Sequence, residues 1–113
     1  MDDEMEMTNL WEETVRVLNR NGLDFDKDVI QVQTAEGYIE KELFKMMAMA
    51  TNYDSGYGSA EIREDLTIVG EGWWLERDEY DGSEWWAFCA TPTLLENNAG
   101  APRLTTYDYE EEE

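Results

Sequence analysis

The sequence contains no histidine and one cysteine. Without histidine, the chain lacks the side chain that most often moves protons near neutral pH and the commonest protein ligand of metal ions. Because Cys89 has no partner in the chain, an internal disulfide and a site built from several thiolates are excluded. These absences argue against catalysis. We expect a binding protein that is not an enzyme and holds no cofactor or metal.

Basic residues are scarce as well. The 113 residues include 8 Lys and Arg against 28 Asp and Glu, a formal net charge of -20. Because Lys and Arg neutralise the phosphates that a nucleic-acid-binding protein contacts, we expect no direct binding of DNA or RNA. Nine of the acids lie in residues 2–6 and 108–113, so residues 7–107 keep 19 acids and 8 bases, or -11. The body of the protein is therefore acidic too.

Long apolar runs are also missing. No stretch of the sequence approaches the roughly 20 apolar residues that span a bilayer, and the acidic N-terminus lacks the basic start of a secretory signal. We expect a soluble, cytosolic protein that does not bind membranes. Runs of like charge repel and stay solvated, so we expect a disordered N-terminus at 1–7, one domain at 8–107 and an acidic tail at 108–113.

Apolar periodicity predicts two helices. Thr8 is the expected cap of a first helix that ends near Asn21, before a glycine. A second helix is predicted over residues 40–50, with one further helical turn at 60–65. The face that we expect this second helix to bury consists of Leu43, Phe44, Met46, Met47 and Ala50.

Strand signals occupy the rest of the chain. A hairpin is expected from Val29 to Ile39, and another strand from Leu66 to Val69. Trp73 to Tyr80 and Glu84 to Ala90 flank Asp81-Gly82, a dipeptide typical of a two-residue type I′ turn. The predicted fold class is α+β, an antiparallel sheet of four or five strands with two helices. Residues 95–106 are expected to be a loose connection.

The last hairpin has two chemically different faces if Tyr80 pairs with Ser83. One face is the expected core side, with the charge of Arg77 reaching outward, and it consists of Trp73, Leu75, Arg77, Trp86, Phe88 and Ala90. The other face carries two acids about 7 Å apart, twice the strand rise, beside three aromatic rings. Its residues are Trp74, Glu76, Asp78, Tyr80, Trp85, Ala87 and Cys89.

Carboxylates beside exposed aromatics favour a basic protein partner, because the acids attract Lys and Arg while the rings stack on guanidinium groups. A glycine-rich loop over residues 52–59 would present two further tyrosines as anchors. The alternative, that a helix covers Trp74 and Trp85 and the acids form a solvated rim, is equally open. The candidate partner-binding residues are Tyr53, Asp54, Tyr57, Glu61, Glu64, Asp65, Trp74, Glu76, Asp78, Tyr80 and Trp85.

Other motifs fail on spacing. Asp24, Asp26 and Asp28 alternate like the start of a calcium loop, but the sixth and twelfth positions are Val29 and Ala35 instead of Gly and Glu. The loop Gly56-Tyr57-Gly58 lacks the Gly-Lys pair of a phosphate-binding loop. With 28 acids, a pair of carboxylates arises by chance and does not single out a glycosidase site.

The stretch from Thr51 to Phe88, especially NYDSGYG and WWLERDEYDGSEWW, resembles small proteins of phages and mobile elements over about a third of the chain. Small size, strong acidity and the ending YDYEEEE also resemble phage antirestriction and anti-CRISPR proteins that imitate DNA. The resemblance implies an inhibitor of a host CRISPR effector or restriction enzyme. It gives no individual residue a role.

Three functional hypotheses follow. The first is a phage-encoded DNA mimic that occupies the Lys and Arg of a host nucleic-acid-binding protein. The second is an acidic interaction adaptor whose partner is unrelated to DNA. The third is general acidification for solubility, as in salt-adapted proteins. Mimicry requires acids concentrated on one surface, whereas adaptation spreads them evenly.

Overall fold

The computed structural model describes residues 7–56 and 60–106. Its elements follow in the order β1 (Thr8–Asn9), α1 (Leu10–Arg20), α2 (Phe25–Asp28), β2 (Val29–Thr34), β3 (Gly37–Ile39), α3 (Lys41–Met49), β4 (Asn52–Tyr53), β5 (Thr67–Gly70), β6 (Trp73–Tyr80) and β7 (Ser83–Ala90). Five strands form an antiparallel sheet in the order β3-β2-β5-β6-β7, and β1 pairs with β4. The predicted α+β class is confirmed. The described residues contain three helices where two were expected.

The β6–β7 hairpin has the predicted turn and register. Asp81 and Gly82 both have positive φ, 51° and 89°, as a type I′ turn requires. Tyr80 pairs with Ser83, and each facing pair onward to Trp73 and Ala90 keeps the same register. The two faces of the hairpin therefore carry the residues that the sequence assigned to them.

The cap of α1 lies one residue later than expected. The Oδ1 of Asn9, rather than a Thr8 oxygen, accepts a hydrogen bond from the backbone N–H of Glu12 at 3.0 Å. Asparagine is a strong cap because its side-chain oxygen satisfies a backbone donor that has no partner within the helix. With Glu12 and Glu13 in its first turn and Arg20 in its last, the helix also carries charges that suit its dipole.

The helices cover one face of the main sheet and leave the other open. A ring cluster of Trp11, Phe25 and Phe44 joins the three helices, with centroid separations of 4.9 to 6.5 Å. Burying such side chains stabilises the fold by about 1.5–3 kcal/mol each. The buried apolar residues are Leu10, Val17, Leu18, Phe25, Val29, Val32, Phe44, Ala48, Tyr53, Leu66, Ile68, Trp73, Leu75 and Trp86.

Two local predictions are wrong. On α3 the buried residues are Phe44 and Ala48, whereas Leu43, Met46, Met47 and Ala50 are exposed. The segment 60–65 is irregular instead of helical, and the connection after α1 contains the short helix α2, which a side-chain oxygen of Asp24 caps.

Residues 91–106 contain no helix or strand, in line with the expected loose connection. The expected acidic ends, 1–7 and 108–113, lie almost wholly outside the described residues. Among the helices of the described ranges, none has the length and apolar character needed to cross a bilayer.

Candidate functional site

A buried charged cluster lies on the helix-covered face of the hairpin. The guanidinium of Arg77 is 3.4 Å from a carboxylate oxygen of Glu13 on α1 and 3.1 Å from one of Glu84 on β7. Only 3% of the Arg77 side chain is exposed, so the expectation that its charge reaches outward is wrong. The strand alternation directs Arg77 inward, and the two carboxylates there compensate its charge.

Tyr53 belongs to the same cluster and is not an exposed anchor. Its hydroxyl donates to Glu13 Oε1 at 2.5 Å and accepts from Arg77 Nη2 at 2.9 Å. Burial, followed by the hydrogen bond to Glu13, raises the pKa of Tyr53 above its usual range. The Arg77 guanidinium also lies 4.8 Å from the centre of the ring of Trp86, its partner across the hairpin.

Backbone N–H groups also donate to the two carboxylates of the cluster, whereas the buried Nε of Arg77 has no partner within the described residues. The N–H of Trp86 donates to Glu13 at 3.1 Å, and the N–H of Glu61 donates to Glu84 at 2.6 Å. These bonds fasten α1, the 61–62 loop and the hairpin to one another. Because the charges are paired and buried, we assign the cluster a structural role.

The open face of the hairpin carries the predicted aromatic and acidic residues. Glu76 and Asp78 are exposed, Tyr80 is 77% exposed and Trp85 is 38% exposed. Trp74 is half-buried, and its indole N–H donates to Glu76 Oε1 at 2.9 Å. The described residues do not support the alternative in which a helix covers this face, because α1 packs on the opposite face, where Glu13 and Thr14 bind Trp86.

A second group of predicted residues lines an open groove of about 750 Å³ beside the end of β6. Its lining includes the acids Glu61, Glu64, Asp65 and Glu79. Asp65 is half-buried and binds Arg63 at 2.6 Å, and this hydrogen bond, with another from the backbone N–H of Ala35, holds the pKa of Asp65 well below its usual range.

The groove lies on the Arg77 side of β6, opposite the open face, and the two border each other at the end of the strand. Glu64 and Glu79 line both the groove and an adjoining cavity that Asp78 also lines. We call the exposed carboxylates of this region the acidic surface, and its members are Glu61, Glu64, Glu76, Asp78, Glu79 and Asp81. The sequence reasoning missed Glu79 and Asp81. Both follow Asp78 in the chain. Their position at the end of the predicted hairpin is the sequence feature that could have identified them as exposed acids.

Two other predicted site residues are not part of this surface. Asp54 is half-buried, and its Oδ1 accepts a hydrogen bond from the backbone N–H of Gly56 at 3.1 Å. Tyr57 lies outside the described residues. The proposed tyrosine-rich anchor loop therefore contributes neither Tyr53 nor Asp54 to the exposed acidic surface.

The acids are unevenly distributed along the chain. Residues 7–51 contain 8 acids and 5 bases, a charge of -3, whereas residues 52–107 contain 11 acids and 3 bases, a charge of -8. Two of these three bases contact acids: Arg77 lies in the buried cluster, and Arg63 contacts Asp65 and Glu36. The acidic surface is therefore largely uncompensated.

The region can bind through charge and aromatic contact, but it offers little reactive chemistry. Burial and then the negative charge of Glu76 raise the pKa of Cys89, which disfavours a reactive thiolate. Residues 7–56 and 60–106 contain no group of acids and cysteine arranged to hold a metal ion. Comparison with protein-family models, with curated proteins and with solved structures finds no match.

Proposed function

We propose that the protein is a phage-type inhibitor that binds a basic nucleic-acid-binding protein of host defence, a CRISPR effector or a restriction enzyme, in the host cytoplasm. The observation that carries the proposal is the concentration of uncompensated charge, -8 in residues 52–107 against -3 in residues 7–51. General acidification for solubility has no need of such asymmetry.

The proposed mechanism is occupancy of the partner's phosphate-binding site. The carboxylates of the acidic surface contact the Lys and Arg that otherwise hold DNA, and their charge steers the encounter. Trp85 and Tyr80, beside Asp78, offer rings on which a guanidinium stacks while the carboxylate accepts its hydrogen bonds. The protein itself binds no nucleic acid under this proposal, because two polyanions repel.

A DNA-cleavage assay tests the proposal. Purified CRISPR effectors and restriction enzymes would be mixed with the protein before a labelled DNA target is added. We expect at least one enzyme to lose activity, with inhibition relieved by excess DNA and by raised salt, since the contact is electrostatic. A gel shift of DNA by the protein alone would contradict the proposal, as would full activity of every enzyme at micromolar inhibitor.

The alternative is an acidic adaptor whose partner is unrelated to DNA. The exposed aromatic rings favour it as much as they favour a mimic, because such rings anchor many protein interfaces. Inhibition that is indifferent to the DNA concentration and to salt would support the adaptor against the mimic.

A further inference from the structure

β7 forms one edge of the main sheet, and the direction of its backbone groups alternates. The N–H of Thr91, just beyond the strand, donates to the Gly72 carbonyl at 2.8 Å, towards β6. The N–H of Glu84 donates to the Ser55 carbonyl at 2.8 Å, and that of Trp86 donates to Glu13 at 3.1 Å, both away from β6. The even-numbered residues of β7 therefore direct their N–H and C=O groups to the open edge.

Only the first half of this edge is covered. Ser55 and Glu13 satisfy the outward N–H groups of Glu84 and Trp86, but within the described residues those of Phe88 and Ala90 have no partner. An unpaired strand edge is a template for another strand, and proteins usually protect it with charge, proline or a covering segment. The second half of β7 has none of these within the strand.

The same stretch is the longest part of the sequence without a charged residue. It runs from Trp85 to Leu95, 11 residues, in a chain whose net charge is -20. Phe88 is 39% exposed on the inner face at this edge. A second acidic copy can approach here with less repulsion than at the acidic surface.

We propose that β7 pairs antiparallel with β7 of a second copy about a two-fold axis at Cys89. Phe88 of each chain then lies opposite Ala90 of the other. The two unpaired N–H groups of each chain meet carbonyls of the second chain, giving four backbone hydrogen bonds. The two sheets join into one through a self-complementary contact, as two-fold symmetry requires.

Two neighbouring two-fold registers would also bring the outward backbone groups of the even-numbered residues together. In each of them, one residue of an opposed pair has no free N–H to donate. An axis at Phe88 places Ala90 opposite Trp86, whose N–H is already bound to Glu13. An axis at Ala90 places Phe88 opposite Pro92, which has no N–H. With the axis at Cys89, Trp86 faces Pro92 of the second copy. The N–H of Trp86 is already bound to Glu13 and Pro92 has no N–H, so the pairing between the two strands ends there.

Molecular mass in solution is the first test. Light scattering over a concentration series should show a mass that rises from 13.2 kDa towards twice that value. Ala90→Pro removes the outward N–H without removing a bond to β6, and it should abolish the increase of mass with concentration. Ala90→Val keeps the N–H and should preserve it. Circular dichroism would confirm that both variants fold; equal behaviour of the two variants would overturn the proposal.

Cysteine cross-linking tests the register. Directly opposite residues of a non-hydrogen-bonded antiparallel pair have Cα atoms about 4.5 Å apart, within the usual disulfide range. Under copper-phenanthroline, two Cys89 thiols lose two protons and two electrons to dioxygen, and we expect a disulfide-linked dimer. In Cys89→Ser with Ala87→Cys, the new thiols lie about 13 Å apart along the strands and should not link. Equal linking in both proteins, or none in either, would overturn the proposal.

Salt separates this dimer from the proposed inhibitory complex. Raised salt should strengthen the dimer, because the repulsion between two acidic copies is screened, whereas it should weaken the complex with a basic protein. A dimer that dissociates as salt rises would contradict the proposed contact. Neither result depends on whether any host enzyme is inhibited.

Discussion

Replacing Arg77 by methionine should lower the free energy of unfolding by about 3–5 kcal/mol. The change leaves Glu13 and Glu84 as buried carboxylates without their cation, with side chains 7% and 3% exposed. Removing one partner of a buried ion pair costs about 3–5 kcal/mol, whereas a domain of this class has a free energy of unfolding of about 5–15 kcal/mol. The expected loss is therefore at least about a fifth of a typical domain's stability.

Arg63 provides a matched control. It also contacts two carboxylates, those of Asp65 and Glu36. Its distance to Asp65 is 2.6 Å, which is shorter than either ion-pair distance of Arg77. Its side chain, however, is 47% exposed, so solvent screens the interaction. Arg63→Met should therefore lower the free energy of unfolding much less than Arg77→Met does.

Urea unfolding followed by tryptophan fluorescence measures both variants. If Arg77→Met is too unstable for a baseline, Arg77→Met with Glu13→Gln and Glu84→Gln should recover part of the loss, because no buried charge remains. Equal losses for Arg77→Met and Arg63→Met would refute the reasoning that burial sets the cost. No recovery in the triple variant would show that packing around Arg77 matters more than its charge.

Three further predictions concern stability. Gly82→Val should cost roughly 1 kcal/mol or more, because residue 82 has φ of 89°, and an unchanged melting temperature would contradict this. Gly70→Ala should cost about 1–3 kcal/mol, because its Cβ would lie 2.0 Å from the Trp73 ring; an equally stable variant in urea would show that the ring moves freely. The raised pKa of Tyr53 means that its contribution is present below the unfolded pKa of about 10 and is lost as the pH rises beyond it. Tyr53→Phe should reduce the loss of stability between pH 9 and about 11; an identical alkaline profile would contradict the assignment.

The hairpin was predictable because its determinants are local. Asp81-Gly82 selects the turn, the turn sets the register, and the register sets which face each of the flanking residues occupies. The burial of Tyr53 and Arg77 was not predictable. Their shared partner, Glu13, is 40 and 64 residues away in the sequence, and local pattern contains no information about a contact at that distance.

The error on α3 has a different cause. Its apolar residues lie on more than one side of the helix, so periodicity identifies a helix without deciding which side meets the sheet. The side with Phe44 and Ala48 packs against the core, and the side with Met46 and Met47 faces solvent. In the candidate site, strand alternation predicted the exposed pair Glu76 and Asp78. Glu64 and Glu79 line the same groove because of the path of an irregular loop, and the sequence pattern did not predict that path.

Charge reversal on the acidic surface tests the central claim most directly. Glu76→Lys with Asp78→Lys should fold normally, because surface changes typically alter stability within about 0.5 kcal/mol each. Glu42→Lys with Glu96→Lys makes the same change of charge at exposed residues elsewhere. Against an enzyme that the wild type inhibits, we predict a much weaker inhibition constant for the first variant and a nearly unchanged one for the second. Equal inhibition by both variants would contradict the account.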